Sequence, residues 1–470
     1  MGRRKRKRKI AYSVSITDIA DKGQAVGRDA EGLVYFVKGA VPGDIVDVWV
    51  RKKKKSFNIG EVENYIEKSS LRVTPFCAHF GDCGGCKWQY LDYESQLKYK
   101  EAAVVNTFKR LGHLEIKEQR PIIGCDLTKQ YRNKMEYSFS TRRWVPKEEL
   151  DQEGEVNFGP ATGFHRAGAF NMIVQIDQCH LQDDFSNELR NFVHQLALEK
   201  QWTFYNNRAH TGLLRNMLVR NTTTGEWMVA MIFGEDNQAD IQDCMQAITD
   251  RFPDLTSLYY VINLKMNDST QDQDFIHYKG ETGITEMLGH VKYRIGPKSF
   301  FQTNTYQAKR LFDEVVKLAD LKGTENVYDL YTGLGSIALY IADKCKQVVG
   351  VEEIAPAIDD AILNMERNGI SNTLFEVGDC KNIFNQEFVD KYGKADLIIV
   401  DPPRAGLHGD VVTMLASTGV DRIIYVSCNP ATQARDIALL YEKYSVELIQ
   451  PVDMFPHTHH IENITLLKLR

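Results

Sequence analysis

Residues 325–345, "ENVYDLYTGLGSIALYIADKC", read as an apolar strand, a turn with two glycines and a helix. The same order recurs towards the end of the chain, where apolar strands alternate with helical stretches. Further strands are predicted in "QVVGVEE" (347–353), "LFEVGDC" (374–380), "ADLIIVDPP" (395–403) and "RIIYVSC" (422–428). This alternation predicts an α/β domain over residues 296–470, with a parallel sheet wrapped by helices.

The residues that follow each predicted strand are candidate ligand contacts, because ligands bind at the carboxyl ends of parallel strands. Gly333 and Gly335 lie in the first turn, and Glu352 lies about twenty residues further on, where an acid can bind ribose hydroxyls. Asp379 and Asp401 follow the next two strands. The G-x-G turn leaves a nicotinamide-binding fold and an S-adenosylmethionine fold open, and the short turn with "DPP" favours the second.

Cys428 follows the strand "RIIYVSC" and is expected at the same edge of the sheet. A lone cysteine is more often buried filler than a catalyst, but its place beside the ligand-binding edge favours a nucleophile. Such a thiol needs local activation, and Glu462 in the C-terminal "HIEN" is a candidate general base. A methyl donor, a thiol and a base together fit methylation of uracil at C5. In that reaction a thiolate adds to C6 and makes C5 nucleophilic.

Composition indicates a globular protein of two or three domains, since 43% of the 470 residues are hydrophobic and 26% are charged. The chain has no apolar run long enough for a transmembrane helix, and no apolar segment follows the basic N-terminus as in a signal peptide. We therefore expect a cytoplasmic protein without a membrane partner, and a monomer by default. In that compartment the nine cysteines are more plausible as thiols, metal ligands or catalysts than as disulfides.

Positive charge is concentrated at the start of the chain. Residues 1–70 carry a balance of +7 and the remainder −12, with basic runs at 3–9 and 51–55. Two such runs in one small segment favour a nucleic acid partner over a merely solvated surface. Short strand-like stretches separated by turns, from "YSVSITDI" to "NIGEVENYI", predict a small OB-like barrel over residues 10–67, preceded by a basic tail, 1–9.

Residues 68–295 are predicted to form a central α+β domain, whose helix at 93–111 could pack on the catalytic domain. Its "CAHFGDCGGCKW" places Cys77, Cys83 and Cys86 within ten residues, as in zinc or iron–sulfur sites. Four ligands are needed, and spacing alone does not choose the metal or the fourth ligand. Cys125 and Cys179 are the nearest candidates, and His79 or His180 could substitute at zinc.

Five segments together resemble the RNA uracil-5 methyltransferase family, and they occur in the family's order. They are "FFQTN" (300–304), "DLYTG" (329–333), "DPPRAGL" (401–407), "SCNPAT" (427–432) and "HIEN" (460–463). The N-terminal segment resembles a TRAM domain, the OB-like RNA-binding module of many members. The resemblance implies a class I, Rossmann-like methyltransferase domain that uses S-adenosylmethionine. It departs from many members at Ser336, where they carry Asn.

The resemblance also implies roles for individual residues. Cys428 would be the nucleophile and Glu462 the proton acceptor, although Asp401 could face either the cofactor or the uracil. Cofactor contacts are expected from Gln302, Tyr331, Ser336, Glu352, Asp379 and Asp401. "DQCHL" (177–181) points to Cys179 as the fourth ligand of a [4Fe–4S] cluster with Cys77, Cys83 and Cys86. Methylation of 23S ribosomal RNA is expected from the TRAM and cluster arrangement, with transfer RNA as the alternative.

Three other classes of protein fit the sequence less well. RNA cytosine-5 methyltransferases resemble a pattern with a second cysteine, and this chain has Pro403-Arg404 at that place. Radical S-adenosylmethionine enzymes usually space their cysteines as C-x3-C-x2-C, which differs from the spacing here. An inactive iron–sulfur RNA-binding protein would not need Cys428, Glu462 and Asp401 together, so an enzyme is the better expectation.

Overall fold

A computed structural model describes residues 9–151 and 156–470. The chain begins with five strands that form a closed barrel in the order β1-β2-β3-β5-β4. Alternate residues such as Val14, Ile16, Val46 and Val48 fill its interior, as expected for strands with one buried face. The predicted OB-like barrel is confirmed, while residues 1–8 of the predicted basic tail lie outside the described residues. The strands are β1 (Ile10–Ile19), β2 (Ala25–Arg28), β3 (Val34–Lys38), β4 (Ile45–Lys53) and β5 (Phe57–Glu67), with a 3-10 turn at Asp21–Gly23.

A helix, α1 (Tyr93–Arg110), and a short strand, β6 (Ile116–Gln119), follow the cysteine-rich segment. The Asp92 side chain accepts a hydrogen bond from Ser95 N and so caps the start of α1. Buried residues recur every fourth position along α1, which gives the helix one inward face made of Gln96, Lys100, Val104 and Phe108.

The central region contains a seven-stranded sheet in the order β13-β12-β11-β10-β7-β8-β9. Strands β10 and β11 form an antiparallel hairpin on either side of the turn "NTTTGE" (221–226). Helices α3 and α4 contribute to the core on this sheet. The elements are β7 (Lys134–Ser140), α2 (Lys147–Leu150), β8 (Ala161–Arg166), β9 (Ala169–Gln175), α3 (Asp184–Glu199), β10 (Leu214–Asn221), β11 (Trp227–Phe233), α4 (Gln238–Arg251), β12 (Ser257–Ile262) and β13 (Ile276–Gly280).

The C-terminal region alternates strands and helices as predicted. The hairpin β14 (Ile284–Leu288) and β15 (Val291–Ile295) precedes it. The elements that follow are α5 (Thr305–Ala319), β16 (Asn326–Leu330), α6 (Ser336–Ile341), a 3-10 turn (Ala342–Lys344), β17 (Gln347–Glu352), α7 (Ala355–Arg367), β18 (Thr373–Val377), α8 (Cys380–Ile383), α9 (Gln386–Tyr392), β19 (Leu397–Val400), α10 (Gly409–Thr418), β20 (Arg422–Ser427), α11 (Pro430–Leu440), β21 (Tyr444–Val452) and β22 (Glu462–Leu469).

The catalytic sheet has eight strands in the order β18-β17-β16-β19-β20-β22-β21-β6. The first five are parallel, and β22 runs antiparallel to both of its neighbours. Runs such as Val348–Val351 and Leu397–Val400 are buried on both faces because helices cover both sides of the sheet. All five parallel strands therefore end at the same edge.

Two segments from outside the predicted catalytic domain join its core. Strand β6 pairs with β21 as the last strand of the sheet, and Val104 and Phe108 of α1 pack in the same apolar cluster as the strands. The hairpin β14–β15 shares a second cluster with α5, α6 and also with strands of the central sheet. The predicted boundary between residues 295 and 296 thus runs through a continuous core.

Candidate active site

The edge where the parallel strands end brings several of the predicted residues together. Leu330, the last residue of β16, lies beside Val351 and Val400 in the register of the sheet. The next residues along these strands are therefore neighbours, which gathers Tyr331, Glu352 and Asp401 at one edge. Asp379 caps the short helix after β18, and Lys381 N donates to its Oδ1 at 3.0 Å. The Lys381 side chain and this backbone bond lower the pKa of Asp379.

The glycine turn between β16 and α6 leaves open space at its centre. A Cβ atom added to Gly333, whose φ is +58°, would meet no atom within 4 Å. Gly333 N donates to Glu352 Oε2 at 3.1 Å, and Ile354 N donates to Oε1 at 3.0 Å, so the carboxylate is fixed beside the turn. Ser336 begins α6, and its carbonyl accepts a hydrogen bond of 2.7 Å from Tyr293 Oη. The turn is therefore rigid and open on the side of the ligand-binding edge.

Two carboxyl groups lie beside this turn: Asp329 is buried, and Asp401 is half-buried. Asp329 accepts hydrogen bonds from Thr332 Oγ1 at 2.5 Å and Ala338 N at 3.0 Å, while its Oδ1 has no partner among the described residues. Burial raises the pKa of Asp329 to about 7. Burial, with the charge of Asp329, also raises the pKa of Asp401 to about 7. A cationic ligand at this edge would favour the ionised form of both groups, so the site fits a sulfonium such as S-adenosylmethionine.

Tyr331 and Gln302 complete the predicted cofactor residues, in different settings. Tyr331 has a left-handed backbone, with φ of 68°, and its half-buried phenol has a raised pKa because of burial. Gln302 lies in the loop before α5, where its carbonyl accepts a hydrogen bond of 2.9 Å from Asn133 Nδ2. That bond ties the loop to the central domain, so both domains shape this part of the site.

Cys428 and Glu462 lie at the ends of two neighbouring strands. Ser427 of β20 is paired with Asn463 of β22, which places Cys428 and Glu462 side by side across the two strands. Cys428 is half-buried, whereas Glu462 is only 6% exposed. Burial raises the pKa of Glu462 well above its ordinary value, with a further contribution from Asp401.

Arg404 is a further candidate residue of this site, and it was not expected from the sequence. Burial and the charges of Glu462 and Asp401 raise the pKa of Cys428 to about 11, while Arg404 acts in the opposite direction through its charge and a side-chain hydrogen bond. Arg404 follows the "DPP" segment, and its carbonyl accepts from Asn429 Nδ2 at 3.0 Å, which ties the two loops together. Its position directly after "DPP" was the only signal in the sequence. A cation beside a thiol is what stabilises a thiolate.

The four cysteines predicted to bind a cluster lie in one partly buried region. Burial and the charges of neighbouring cysteines, including Cys179, raise the pKa of Cys83 to about 11 and that of Cys86 to about 12. The charge of Cys77 also raises the pKa of Cys83 and of Cys86. The structure therefore brings Cys179 close to the other three cysteines. Cys125 lies elsewhere and donates to Asp453 O at 2.9 Å. Within residues 9–151 and 156–470, no group of three or more His, Cys, Asp or Glu is arranged to hold a metal ion, so the predicted iron–sulfur site is not shown.

These features define the class of S-adenosylmethionine-dependent methyltransferases. They are a doubly wound sheet with a glycine turn after its first strand, two acids at the following strand ends and an added antiparallel strand. A model of the family described as tRNA (Uracil-5-)-methyltransferase matches residues 221–470, and a TRAM domain model matches residues 6–62. The chain belongs to the uracil-5 RNA methyltransferase family, and it is an enzyme that transfers a methyl group from S-adenosylmethionine to RNA.

Similar proteins agree with this assignment. An uncharacterized RNA methyltransferase of Bacteroides thetaiotaomicron is 46% identical, covering 96% of this chain and 100% of the relative. Another from Porphyromonas gingivalis is 44% identical, covering 97% and 99%. The crystal structure of Pyrococcus abyssi tRNA (uracil-54, C5)-methyltransferase in complex with S-adenosyl-L-homocysteine matches with a TM-score of 0.74 and 29% identity, covering 96% of this chain and 99% of that chain. Among the described residues, no helix is both long and apolar enough to cross a lipid bilayer.

Proposed function

We propose that this enzyme methylates C5 of a uridine in folded RNA through a covalent bond between Cys428 Sγ and C6 of the base. The observation that supports this proposal is the placement of Cys428 and Glu462 on adjacent strand ends, at the edge that also carries Asp401. A thiol and a carboxyl group that lie side by side at that edge can act on the two adjacent carbons, C6 and C5, of one base.

The chemistry begins when Cys428 loses its proton and its thiolate adds to C6. Arg404 stabilises the thiolate by its charge and hydrogen bond, against burial and the two nearby acids. Addition to C6 moves the C5–C6 electron pair towards C5, which can then take the methyl group that S-adenosylmethionine, when bound, would supply from its sulfonium as the methyl–sulfur bond breaks. Glu462 then takes the proton from C5, the electron pair of that C–H bond restores the C5–C6 double bond, and the bond from C6 to sulfur breaks to release the Cys428 thiolate. The raised pKa of Glu462 makes its ionised form a stronger base than an exposed glutamate.

We further propose how the chain holds its cofactors. The open space at Gly333 and the unsatisfied Asp329 oxygen support binding of S-adenosylmethionine across the glycine turn. The residues assigned to it are Gln302, Tyr331, Ser336, Glu352, Asp379 and Asp401. We assign a [4Fe–4S] cluster to Cys77, Cys83, Cys86 and Cys179, because four cysteine thiolates are the usual ligands of such a cluster. The reaction at Cys428 requires no electron transfer, so no step depends on that cluster.

The RNA substrate is proposed as 23S ribosomal RNA, with transfer RNA as the second candidate. The ribosomal substrate is proposed because the chain combines the N-terminal barrel with the four cysteines assigned to the cluster. The second is favoured by the similarity to the Pyrococcus abyssi tRNA (uracil-54, C5)-methyltransferase, which covers 96% of this chain. That coverage shows that a barrel of this kind does not by itself separate the two substrates.

The test uses total ribosomal RNA and total transfer RNA, each transcribed with 5-fluorouridine and incubated with the protein and S-adenosylmethionine. Fluorine at C5 cannot leave as a proton, so the covalent complex should survive denaturation, and sequencing the trapped RNA would identify the uridine. Cys428→Ala should abolish the complex, whereas replacement of a thiol outside the site, Cys244→Ala, should not. Trapping on transfer RNA alone would exclude the ribosomal substrate, and trapping on neither would contradict the covalent mechanism.

A further inference from the structure

The loop between β21 and β22 carries Glu462 at its end and is held by α1 at its start. Lys100, on the buried face of α1, donates to Asp453 Oδ1 at 2.6 Å and to Phe455 O at 3.0 Å. Tyr93 Oη, two turns earlier on the same helix, donates to the other oxygen of Asp453 at 3.0 Å. These bonds join residues more than 350 positions apart in the chain, so the beginning of the loop is fixed by a distant element.

His457, in the middle of this loop, uses all of its polar groups. Its N–H donates to Gln96 Oε1 at 2.9 Å, and its ring Nδ1 lies 3.3 Å from Gln96 Nε2. Ring Nε2 lies 3.1 Å from Thr128 O. Burial lowers the pKa of His457 to about 4, so the ring is neutral, with Nε2–H as donor and Nδ1 as acceptor.

The carbonyl of His457 binds the cysteine-rich segment. It accepts hydrogen bonds from Lys87 N at 2.8 Å and from Trp88 N at 3.0 Å, immediately after Cys86. His457 has φ of 65°, a left-handed conformation that turns its N–H towards α1 while its carbonyl faces this segment. Such a conformation is costly for a residue other than glycine, and it persists only where the surroundings enforce it.

We propose that His457 is a positioning residue that sets Glu462 against Cys428, an inference that rests on the proposed function. Four residues separate His457 from Glu462. Thr458 Oγ1 braces this intervening chain, because it donates to Phe455 O at 2.8 Å and accepts from His460 N at 3.2 Å. A displacement at His457 is therefore transmitted to Glu462. On this view the cysteine-rich segment contributes to catalysis by anchoring the loop that carries the base.

The proposal predicts which step fails when the anchor is weakened. Glu462 acts after methyl transfer, when it removes the C5 proton so that the C6–sulfur bond can break. If Glu462 is displaced, methyl transfer continues but release slows, and the methylated covalent complex accumulates even on RNA with ordinary uridine. A variant that is only less stable lowers every step together, without accumulating that complex.

The test compares His457→Val, which resists a left-handed backbone, with His457→Asn, which tolerates it. His113→Val is the matched control, because His113 is exposed and also has positive φ, 52°, but lies in the turn after α1. With ordinary RNA and methyl-labelled S-adenosylmethionine, we expect His457→Val to increase the labelled complex about tenfold, to lower kcat about tenfold and to leave KM for RNA within about twofold. His457→Asn should be intermediate and His113→Val unchanged.

A parallel loss of methyl transfer and release in both His457 variants, with no labelled complex, would overturn the positioning role. That result is distinguishable from failure of the proposed function, because the wild-type protein would still be trapped on 5-fluorouridine RNA. If the wild-type protein gives no trapped complex either, the covalent mechanism itself fails, and the role of His457 fails with it. Should His457→Val not fold, the amount of labelled complex with His457→Asn decides between the same outcomes.

Discussion

Replacement of Lys100 by Met should be one of the most destabilising single changes in α1. Lys100 is 1% exposed and pairs with Asp453, which is 0% exposed. Methionine preserves most of the volume but leaves the carboxylate with only its neutral donors, Tyr93 Oη and Phe455 N. Removing one partner of a buried pair costs about 3–5 kcal/mol, because the other charge stays buried.

The same magnitude follows from protonation. A buried carboxylate without a cation beside it can become neutral by taking up a proton. For an aspartic acid with its ordinary pKa, protonation at pH 7 costs about 4 kcal/mol. The cost falls to about 2 kcal/mol at pH 5.5, because protonation becomes easier. The stability deficit of Lys100→Met should therefore shrink as the pH falls.

Urea unfolding followed by circular dichroism at both pH values measures this deficit. Lys98→Met is the matched control, since Lys98 is exposed on the same helix and its replacement should change stability by less than about 0.5 kcal/mol. The double replacement Lys100→Met with Asp453→Leu should recover part of the loss, because it removes the unpaired charge. A stability deficit below about 1 kcal/mol at neutral pH, or one that does not shrink on acidification, would show that Lys100 does not compensate a buried charge on Asp453.

Three further predictions concern the cofactor edge and the barrel. Gly333→Ala and Gly419→Ala should cause the same backbone strain, because φ is +58° and +57° and neither new Cβ would meet an atom within 4 Å. Isothermal calorimetry should nevertheless show a loss of S-adenosylmethionine affinity only for Gly333→Ala. Because the pKa of Asp401 is raised to about 7, its ionised form increases as pH rises through that value. The affinity for S-adenosylmethionine should therefore increase with pH, and more steeply than the affinity for S-adenosylhomocysteine, whose sulfur is uncharged. If Asp401→Asn leaves this pH dependence of the affinity unchanged, Asp401 does not face the cofactor. Arg72→Met should lower barrel stability by about 3 kcal/mol in thermal unfolding, because Arg72 binds both oxygens of buried Asp44, at 2.8 and 2.5 Å.

The catalytic sheet could be predicted from sequence because its signals are local. Apolar runs such as Ile423–Val426 are followed directly by polar residues, and parallel strands bring those residues to one edge. The five-stranded barrel was likewise visible in short strands separated by turns. In both cases the information lies within about ten residues of the feature that it predicts.

Other features depend on contacts between distant segments. Strand β6 joins the catalytic sheet through Ile116 and Val446, and nothing in "IKEQ" indicates that partner. His457 lies in an irregular loop without periodicity, so its bonds to Gln96 and Lys87 could not be derived from spacing. The effect of Arg404 on Cys428 requires two loops to meet, which the sequence does not specify. These contacts are set by tertiary packing.

The proposed reaction depends on a covalent bond between Cys428 and uracil. The most direct measurement is mass spectrometry of protease-digested complex trapped on 5-fluorouridine RNA, with methyl-labelled S-adenosylmethionine. We expect one cross-linked peptide that contains Cys428 and carries a methylated fluorouracil nucleotide. Attachment at another cysteine, for example Cys380 in the helix after β18, or methylated RNA without any cross-linked peptide, would contradict it.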